Sequence, residues 1–328
     1  MPTVTVIVPT LSGGPLLDAC LDALARQSIR DFEAAVVDNG GSVTPRPAVR
    51  LLTPGSNLGF GGAINLAVRA TQSDFVAVLN DDAVPDPHWL EALLAAAAAH
   101  PQAGMFASCV LLGDSGTLDS AGMLLCGDGT GKQRGHRQRP EDYPDGEVFF
   151  PSGSAALYRR AMLDRIGLFE EGFFLYGEDT DLGLRARWAG WGCRYVSGAR
   201  VIHRYSQSAG AASLLKAYYV ERNRLRVVVR NFPLAMLCRA PLVSVARYWH
   251  HAAAARRGDG AAAVHRHSGG STWGLAGAVV RAHAALAAAL PSLWRERRAL
   301  SATRSITAAE FTALADRFAI SARDVAAQ

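Results

Sequence analysis

The sequence predicts an α/β fold, a mainly parallel sheet sandwiched by helices, with a helical extension at the C-terminal end. Three observations predict it. Short β-branched runs alternate with helix-period segments between Val4 and Ala99; the residues that close those runs, Thr10, Asp38 and Asp82 among them, are polar; and from Ser213 onward the apolar spacing is helical. In such alternating folds ligands bind beyond the carboxyl ends of the strands, where these polar residues fall. At roughly 150 residues per domain, 328 residues make about two domains, and the expected regions are 1–212 and 213–328.

Val4-Thr5-Val6-Ile7-Val8 reads as the first strand and closes on Pro9-Thr10, after which Leu16, Leu17, Cys20, Leu21 and Leu24 recur at helical spacing. Glu33 to Val37 is a second strand ending at Asp38, and Val49 to Leu52 a third. A glycine-rich loop leads into a helix over Gly61 to Ala70, and Phe75 to Leu79 then runs into Asn80-Asp81-Asp82. Leu90 to Ala99 is an alanine-rich helix, followed by an apolar stretch from Met105 to Leu112. Between Gly113 and Gly146, glycines, charges, Pro140 and Pro144 crowd together, which predicts a long irregular loop of the kind that serves as a lid. Order resumes at Ser152 to Tyr158 and a short helix from Arg160. Phe173 to Tyr176 then enters the acidic run Gly177-Glu178-Asp179-Thr180-Asp181, which opens an amphipathic helix through Leu182, Leu184, Arg185 and Trp188. The C-terminal helices are expected to break near Pro233, Pro241, Gly258 to Gly260, Gly269-Gly270 and Pro291.

Five widely spaced cysteines with no Cys-x-x-Cys pair indicate neither a disulfide framework nor a zinc knuckle, and fit a reducing cytoplasm. No secretory signal is visible, and the longest apolar stretch, Trp273 to Leu290, is interrupted by Arg281 and His283, which argues against a membrane span. The net charge of +5 conceals an asymmetry: residues 1–200 carry 16 basic and 23 acidic side chains, residues 201–328 carry 18 and 6. The basic part is almost all arginine interleaved with apolar and aromatic residues, a composition suited to an anionic membrane surface as well as to a solvated helix face. It carries no nucleic-acid recognition motif, so nucleic acid is not an expected partner.

Taken singly, the polar motifs are ambiguous. Asn80-Asp81-Asp82 after a buried strand offers hard oxygen ligands for Mg²⁺ or Mn²⁺, yet Asp and Asn are also common before helices. The acids at 178–181 suit a general base, yet they also favour the positive end of the helix that follows. His203, after Val201-Ile202, is a metal ligand, a proton carrier or a structural histidine.

Their order resolves the ambiguity. Val36-Val37-Asp38-Asn39-Gly40, then Asn57-Leu58-Gly59-Phe60-Gly61-Gly62-Ala63-Ile64-Asn65, then Leu79-Asn80-Asp81-Asp82, then Phe174 through Arg185, then Val201-Ile202-His203 resembles the inverting glycosyltransferases of family 2, especially their rhamnosyltransferase-like branch. The resemblance covers residues 3 to about 232, including Arg222-Asn223-Arg224. It implies a GT-A fold, which is Rossmann-like, a dTDP- or UDP-sugar donor, with rhamnose as the first choice of sugar, and a divalent cation, Mg²⁺ or Mn²⁺. Carried over by position, Pro9, Thr10, Asp38 and Asn39 hold the nucleoside, with the Asp38 carboxylate accepting from a pyrimidine imide N–H. Asn57, Gly59 and Asn65 lie along the nucleotide, and Asn80 and Asp81 line the ribose and diphosphate. Asp82 is the main metal carboxylate and His203 the second ligand. Asp179, with Glu178 beside it, matches the catalytic base, and Gly153, Ser154, Tyr176 and Asp181 fall in the donor-sugar or acceptor pocket.

The chemistry agrees with that assignment. Inversion needs in-line attack by an acceptor hydroxyl, so a carboxylate takes the hydroxyl proton on one face while a diphosphate leaves on the other. The chain departs from the family's pattern in two places: Thr10-Leu11-Ser12-Gly13-Gly14 replaces a Thr-Tyr-Asn type turn, and Asn80-Asp81-Asp82 replaces the commoner Asn-Pro-Asp. The expected acceptor is a cell-envelope or polysaccharide glycan, free or lipid-linked, and the expected location is the cytoplasm, peripheral on the inner membrane face. A non-catalytic nucleotide-sugar-binding scaffold is the rival reading, and both acidic clusters that such a scaffold would tolerate losing are present.

Overall fold

A computed structural model describes residues 1–113, 115–204, 213–258 and 271–327. Two units divide it: Met1–Met123 with Gln133–Gln207, and Leu124–Lys132 with Ser208–Gln328. The split after Gln207 falls within 205–212, outside the described residues, as does the expected boundary at 212; the grouping of Leu124–Lys132 with the C-terminal unit was not expected from sequence.

The first unit is built on one ten-stranded sheet. All seven residues of β1 (Val4–Thr10) are buried, as befits a β-branched strand covered on both faces. It pairs in parallel with β2 (Phe32–Asp38) and β4 (Phe75–Leu79), and β3 (Val49–Leu52) extends the parallel set beyond β2. Helix α1 (Pro15–Ala25) buries Leu17, Cys20, Leu21 and Leu24, the residues whose helical spacing predicts it. Helix α2 (Gly59–Ala70) begins two residues before the expected start. After β4 a short strand, β5 (Ala83–Pro85), precedes α3 (Trp89–Ala99) and the long strand β6 (Ala103–Leu112).

The expected loop from Gly113 to Gly146 contains structure. It holds β7 (Leu118–Ser120), β8 (Met123–Cys126), β9 (Gly131–Gln133) and β10 (Gly146–Glu147), and it buries Leu118, Asp119, Ser120, Cys126 and Asp128. Strands this short carry too little periodicity to show against a background of glycine and charge. β11 (Ala155–Arg159) runs antiparallel to both β4 and β6 and leads into α4 (Arg160–Ile166). Helix α5 (Glu178–Trp188) and the strand β12 (Gly192–His203) complete the unit, with β12 parallel to β6.

In the second unit, α6 (Leu214–Asn231) starts on a Ser213 side chain that accepts from the Lys216 N–H. Helix α7 (Leu234–Arg257) ends at Gly258, whose φ of +86° allows the left-handed stop. The expected breaks at Pro241 and Pro291 do not occur; both prolines lie inside helices, α7 and α8 (Thr272–Ser301), each removing one backbone donor. The expected break at Gly269-Gly270 lies outside the described residues. Helix α9 (Ala308–Arg317) opens with a Thr307–Glu310 capping box, β13 (Ala319–Ile320) pairs in parallel with β8, and α10 (Ala322–Ala327) follows. The residues Trp273–Ser301 of α8 are long and apolar enough to cross a membrane by length and composition, and only 11% of their most apolar window is buried. Arg281 and His283, which interrupt the apolar stretch in sequence, lie within this continuous helix.

A buried ionic network organises this unit. Arg247 donates to Asp128 at 2.5 Å and to Glu221 at 2.8 Å, while Arg224 pairs with Glu221 and donates to the Asp128 carbonyl and the Ser244 hydroxyl. Burial would raise the Glu221 carboxyl, but the hydrogen bond and charge of Arg224, with Arg247, outweigh it and hold it at about 2. Because that value is depressed, the stabilisation is present above the ordinary carboxylate range and lost as pH falls toward 2. Removing one partner leaves the other charge buried and unpaired. Arg247→Met is therefore expected to destabilise the protein by about 3–5 kcal/mol in urea unfolding at neutral pH. A loss under about 1 kcal/mol would show the network to be solvated.

Candidate active site

The register of the sheet brings the polar residues to one edge. Thr10 lies opposite Asp38, and Ile7 opposite Val78, so the ends of β1, β2 and β4 emerge together. Because β11 is antiparallel to β4, with Ala155 opposite Leu79, the residues before β11 meet the residues after β4. The Asn80 N–H donates to the Ser154 carbonyl at 2.9 Å, and the Gly153 N–H donates to Asp179 Oδ2 at 3.1 Å. Two acidic clusters far apart in sequence are thus joined through one dipeptide, Gly153-Ser154.

The turn Asn80-Asp81-Asp82 leads into β5, not into a helix, so it is not an N-cap. β5 pairs antiparallel with the end of β12, Ala83 opposite His203, and the Arg204 N–H donates to the Asp82 carbonyl at 3.1 Å. This pairing sets His203 Nε2 3.1 Å from Asp82 Oδ1 and 3.2 Å from Asn80 Nδ2, while Nδ1 lies 2.9 Å from Asp119 Oδ2. Asp82, Asp119 and His203 are all buried. Burial would lower the imidazole, but the hydrogen bonds to Asp119 and Asp82 outweigh it and lift it to about 9. Burial likewise pushes Asp119 up, and the hydrogen bonds from His136 and His203 bring it below its ordinary value. Asp119 and His136 escaped sequence reasoning, since three-residue β7 in a glycine-rich stretch carries no motif.

On the other flank, the Thr10 hydroxyl donates to Asp81 Oδ2 at 2.6 Å and accepts from the Gly13 N–H at 3.1 Å. Burial raises the Asp81 carboxyl; the Thr10 hydroxyl opposes this and the neighbouring Asp82 adds to it. Pro9 is buried within β1 opposite Val37. Asp38 departs from expectation. It is 1% exposed and accepts from the N–H groups of Gly40, Gly41 and Val43 at 3.1, 2.8 and 2.7 Å, so its carboxylate shapes the turn after β2 rather than standing open to a base. Asn39 braces the neighbouring loop, donating to the Gly59 carbonyl and accepting from Leu58, while Asn57 accepts from the Gly59 N–H. Asn65 is also a strut: it is buried and bonded to both backbone groups of Phe169 and to Glu171.

The second acidic cluster sits on a strained approach. Phe174 and Tyr176 have φ of +63° and +69°, uncommon for bulky side chains, and Gly177, the N-cap of α5, has +86°. The Phe174 carbonyl accepts from the Phe60 N–H at 2.8 Å, and a Cβ built on Gly59 would lie 2.1 Å from that carbonyl oxygen. Only glycine fits at 59, which ties the start of α2 to the loop before α5. Asp179 accepts from Gly153 and from the Thr180 N–H, and although partly exposed it lies deep enough for burial to raise its carboxyl. Glu178 is buried with Oε2 unpartnered, and burial together with the Asp179 charge pushes it to about 8. At neutral pH Glu178 is therefore mostly protonated and Asp179 is the stronger candidate for the ionised base. Asp181 does not line a pocket: it is fully buried, 2.8 Å from Arg185, whose guanidinium also donates to the carbonyls of Ile166, Gly167 and Leu168. Tyr176 and Ser154 stay beside the acidic groups, the Ser154 hydroxyl 2.9 Å from that of Ser152. A cavity of about 700 Å³ lined by Thr3, Arg69, Ser73, Asp74 and Arg160 lies at the other end of these strands, away from the carboxylates.

A model described as glycosyltransferase like family 2 matches residues 2–226. The chain belongs to glycosyltransferase family 2. Among its relatives, the N-acetylglucosaminyl-diphospho-decaprenol L-rhamnosyltransferase of Mycobacterium tuberculosis (strain H37Rv) is 33% identical over 250 residues, 65% of this chain and 80% of the relative. Among solved structures, S. aureus TarS 1–349 in complex with UDP-GlcNAc superimposes with a TM-score of 0.57 at 17% identity, covering 97% of this chain and 91% of that one. The mannosyltransferase PcManGT of Pyrobaculum calidifontis, solved with GDP-Man and Mn²⁺, gives 0.51 at 18% identity, covering 96% and 86%. At those identities the likeness is one of fold, and the sheet described above is that of a GT-A glycosyltransferase.

The raised Glu178 carboxyl carries a stability consequence. Between its ordinary value of 4.5 and about 8 the folded chain keeps a proton that the unfolded chain releases, so stability declines as pH rises through that window. Glu178→Gln preserves the neutral shape and is expected to flatten the fall of Tm across the same window. An undiminished slope would show that Glu178 is ionised in the folded protein.

Proposed function

We propose that the chain is a metal-dependent inverting glycosyltransferase that moves a hexose, rhamnose first among the candidates, from a dTDP- or UDP-sugar to a hydroxyl of a cell-envelope or polysaccharide glycan carried on a lipid. The observation that carries the reading is the hydrogen-bonded join Asn80–Ser154–Gly153–Asp179, which sets a base candidate and a cation-binding candidate along one sheet edge. The rhamnosyl and lipid-linked parts of the reading rest on the mycobacterial relative, whose name specifies both.

In this reading Asp179 takes the proton from the attacking hydroxyl. Its position is set by the Gly153 and Thr180 N–H groups, and Glu178 beside it, held protonated by burial, adds no second negative charge. Asp82 and His203 suit a divalent cation. One oxygen and one nitrogen donor stand 3.1 Å apart in a buried setting, and Mg²⁺ and Mn²⁺ are ordinarily completed by substrate phosphates and water. Among the described residues no group of three or more His, Cys, Asp or Glu side chains forms a self-sufficient metal site. When bound, the cation would supply Lewis-acid neutralisation of the departing diphosphate. Thr10, Asp81 and Asn80 shape the approach of the donor.

Attachment to an anionic membrane is part of the same proposal. Helix α7 exposes Leu234 and, at three- and four-residue spacing, Leu242, Val245 and Trp249, and ends in Arg256-Arg257, and α8 exposes Trp273, Val280 and Trp294 among Arg281, Arg295 and Arg298. Moderate salt is expected to release the protein from isolated membranes; recovery in detergent alone would make α8 a spanning helix instead.

Calorimetric titration with dTDP, UDP and GDP tests the donor reading directly. Binding of one nucleotide that needs Mn²⁺ is expected, with loss of that Mn²⁺-dependent binding in Asp82→Ala. Asp179→Asn is expected to bind the same nucleotide with unchanged affinity and to lose turnover by at least about 100-fold. Full activity in that variant would remove the base assignment.

A further inference from the structure

We propose that Asp119 is the positioning residue of the cation site: its carboxylate holds the Nδ1–H of His203 and so reserves Nε2 for the ion at Asp82. The inference deepens the metal-dependent reading above and rests on it.

Three distances carry it. Asp119 Oδ2 lies 2.9 Å from His203 Nδ1, whereas Asp82 Oδ1 and Asn80 Nδ2 face the opposite nitrogen, Nε2, at 3.1 and 3.2 Å. The two nitrogens of the ring therefore meet different partners, a dedicated carboxylate on one side and the candidate ligand carboxylate on the other. An ionised carboxylate only accepts, so Asp119 calls for a proton on Nδ1, and the Asn80 amide nitrogen, which can only donate, calls for a lone pair at Nε2; a neutral ring that meets both keeps its proton on Nδ1 although Asp82 also faces Nε2. An outer carboxylate fixing the tautomer of a ligating histidine is a recurrent physical solution, because it sets ring orientation and raises nitrogen basicity.

The surroundings of Asp119 are built for this duty. It is 2% exposed, on β7, whose neighbours Leu118 and Ser120 pair with Leu111 and Val110 of β6, so its backbone is fixed by the same strand that pairs with β12 up to Leu112 opposite His203. His136 approaches from the far side, Nδ1 3.2 Å from the Asp119 carbonyl and 3.4 Å from Oδ1, which places a second imidazole behind the carboxylate. None of these contacts touches the base cluster at 178–179. Asp119 therefore acts on the cation site through His203.

The experiment has two arms. In the first, Mn²⁺ binding without nucleotide is followed by electron paramagnetic resonance of the free ion for the wild-type protein and for Asp119→Asn. A 10- to 100-fold weakening is expected in the variant. In the second, ¹⁵N shifts of the His203 ring are recorded without metal, above the pH at which the ring becomes neutral. The wild type is expected to carry its proton on Nδ1, and Asp119→Asn, whose amide can donate to Nδ1, to shift it toward Nε2. Equal Mn²⁺ affinity in a folded Asp119→Asn overturns the proposal, and so does weakened affinity with an unmoved tautomer, which would mark Asp119 as merely structural. Should the variant fail to fold, the wild-type ring decides alone, a proton on Nε2 overturning the proposal. Wild-type protein that binds no Mn²⁺ with or without nucleotide removes the metal reading itself, a result distinct from a site that binds Mn²⁺ without regard to Asp119.

Discussion

The antiparallel placement of β11 against β4 is the constraint on which the rest depends. A wholly parallel sheet would send the start of β11 to the far edge, away from the Asn80-Asp82 turn. Because β11 is reversed, Gly153 and Ser154 precede it at the edge where β4 ends, and two hydrogen bonds, one between backbone groups and one from the Gly153 N–H to the Asp179 carboxylate, suffice to connect Asn80 with Asp179. Both donors are main-chain N–H groups, whose positions follow from strand register, and they meet the Ser154 carbonyl and the Asp179 carboxylate. This connection costs the protein little conformational freedom beyond what the sheet already removes.

A second reversal serves the other side. β5 is three residues long, yet its antiparallel pairing with β12 sets Ala83 opposite His203 and thereby fixes the imidazole against Asp82. Buried carboxylates and a buried imidazole would each be costly alone, since desolvation penalises charge. Placed together they compensate, and the imidazole rises while Asp119 falls. The base cluster uses the opposite arrangement. There Glu178 and Asp179 share a site with no paired cation among the described residues, and burial keeps Glu178 neutral. One sheet edge thus holds an ionised network and a proton-retaining pair.

Much of this was legible in the residues. The β-branched runs at 4–8 and 75–79 marked both strands and, at their ends, Thr10 and Asp82; the acidic run before Leu182 marked the start of α5. What escaped was everything that depends on tertiary register. Asp38 stands where expected, at the end of β2, but its three backbone partners come from the turn that follows, and nothing in the composition of Gly40 to Val43 announces them. Asp181 looks like Asp179 in sequence, and only the position of Arg185 one helical turn later, folded against the carbonyls after α4, separates structural from chemical use. Asp119 was hidden because β7 is too short to show a period. Lone strands of that length are visible only through their neighbours.

The steric joint between Gly59 and the Phe174 carbonyl has a meaning for how such enzymes diversify. The residues proposed to meet the donor come largely from the first half of the first unit, and those around the proposed base from the second, so exchanging halves between relatives is an obvious route to new sugar and acceptor pairs. Here the two halves interlock at a point with no room for a single methyl group. A chimera cut between them inherits a fitted surface on one side and a foreign backbone on the other. Productive recombination would have to carry the segments around 57–62 and 169–178 together, as one cassette.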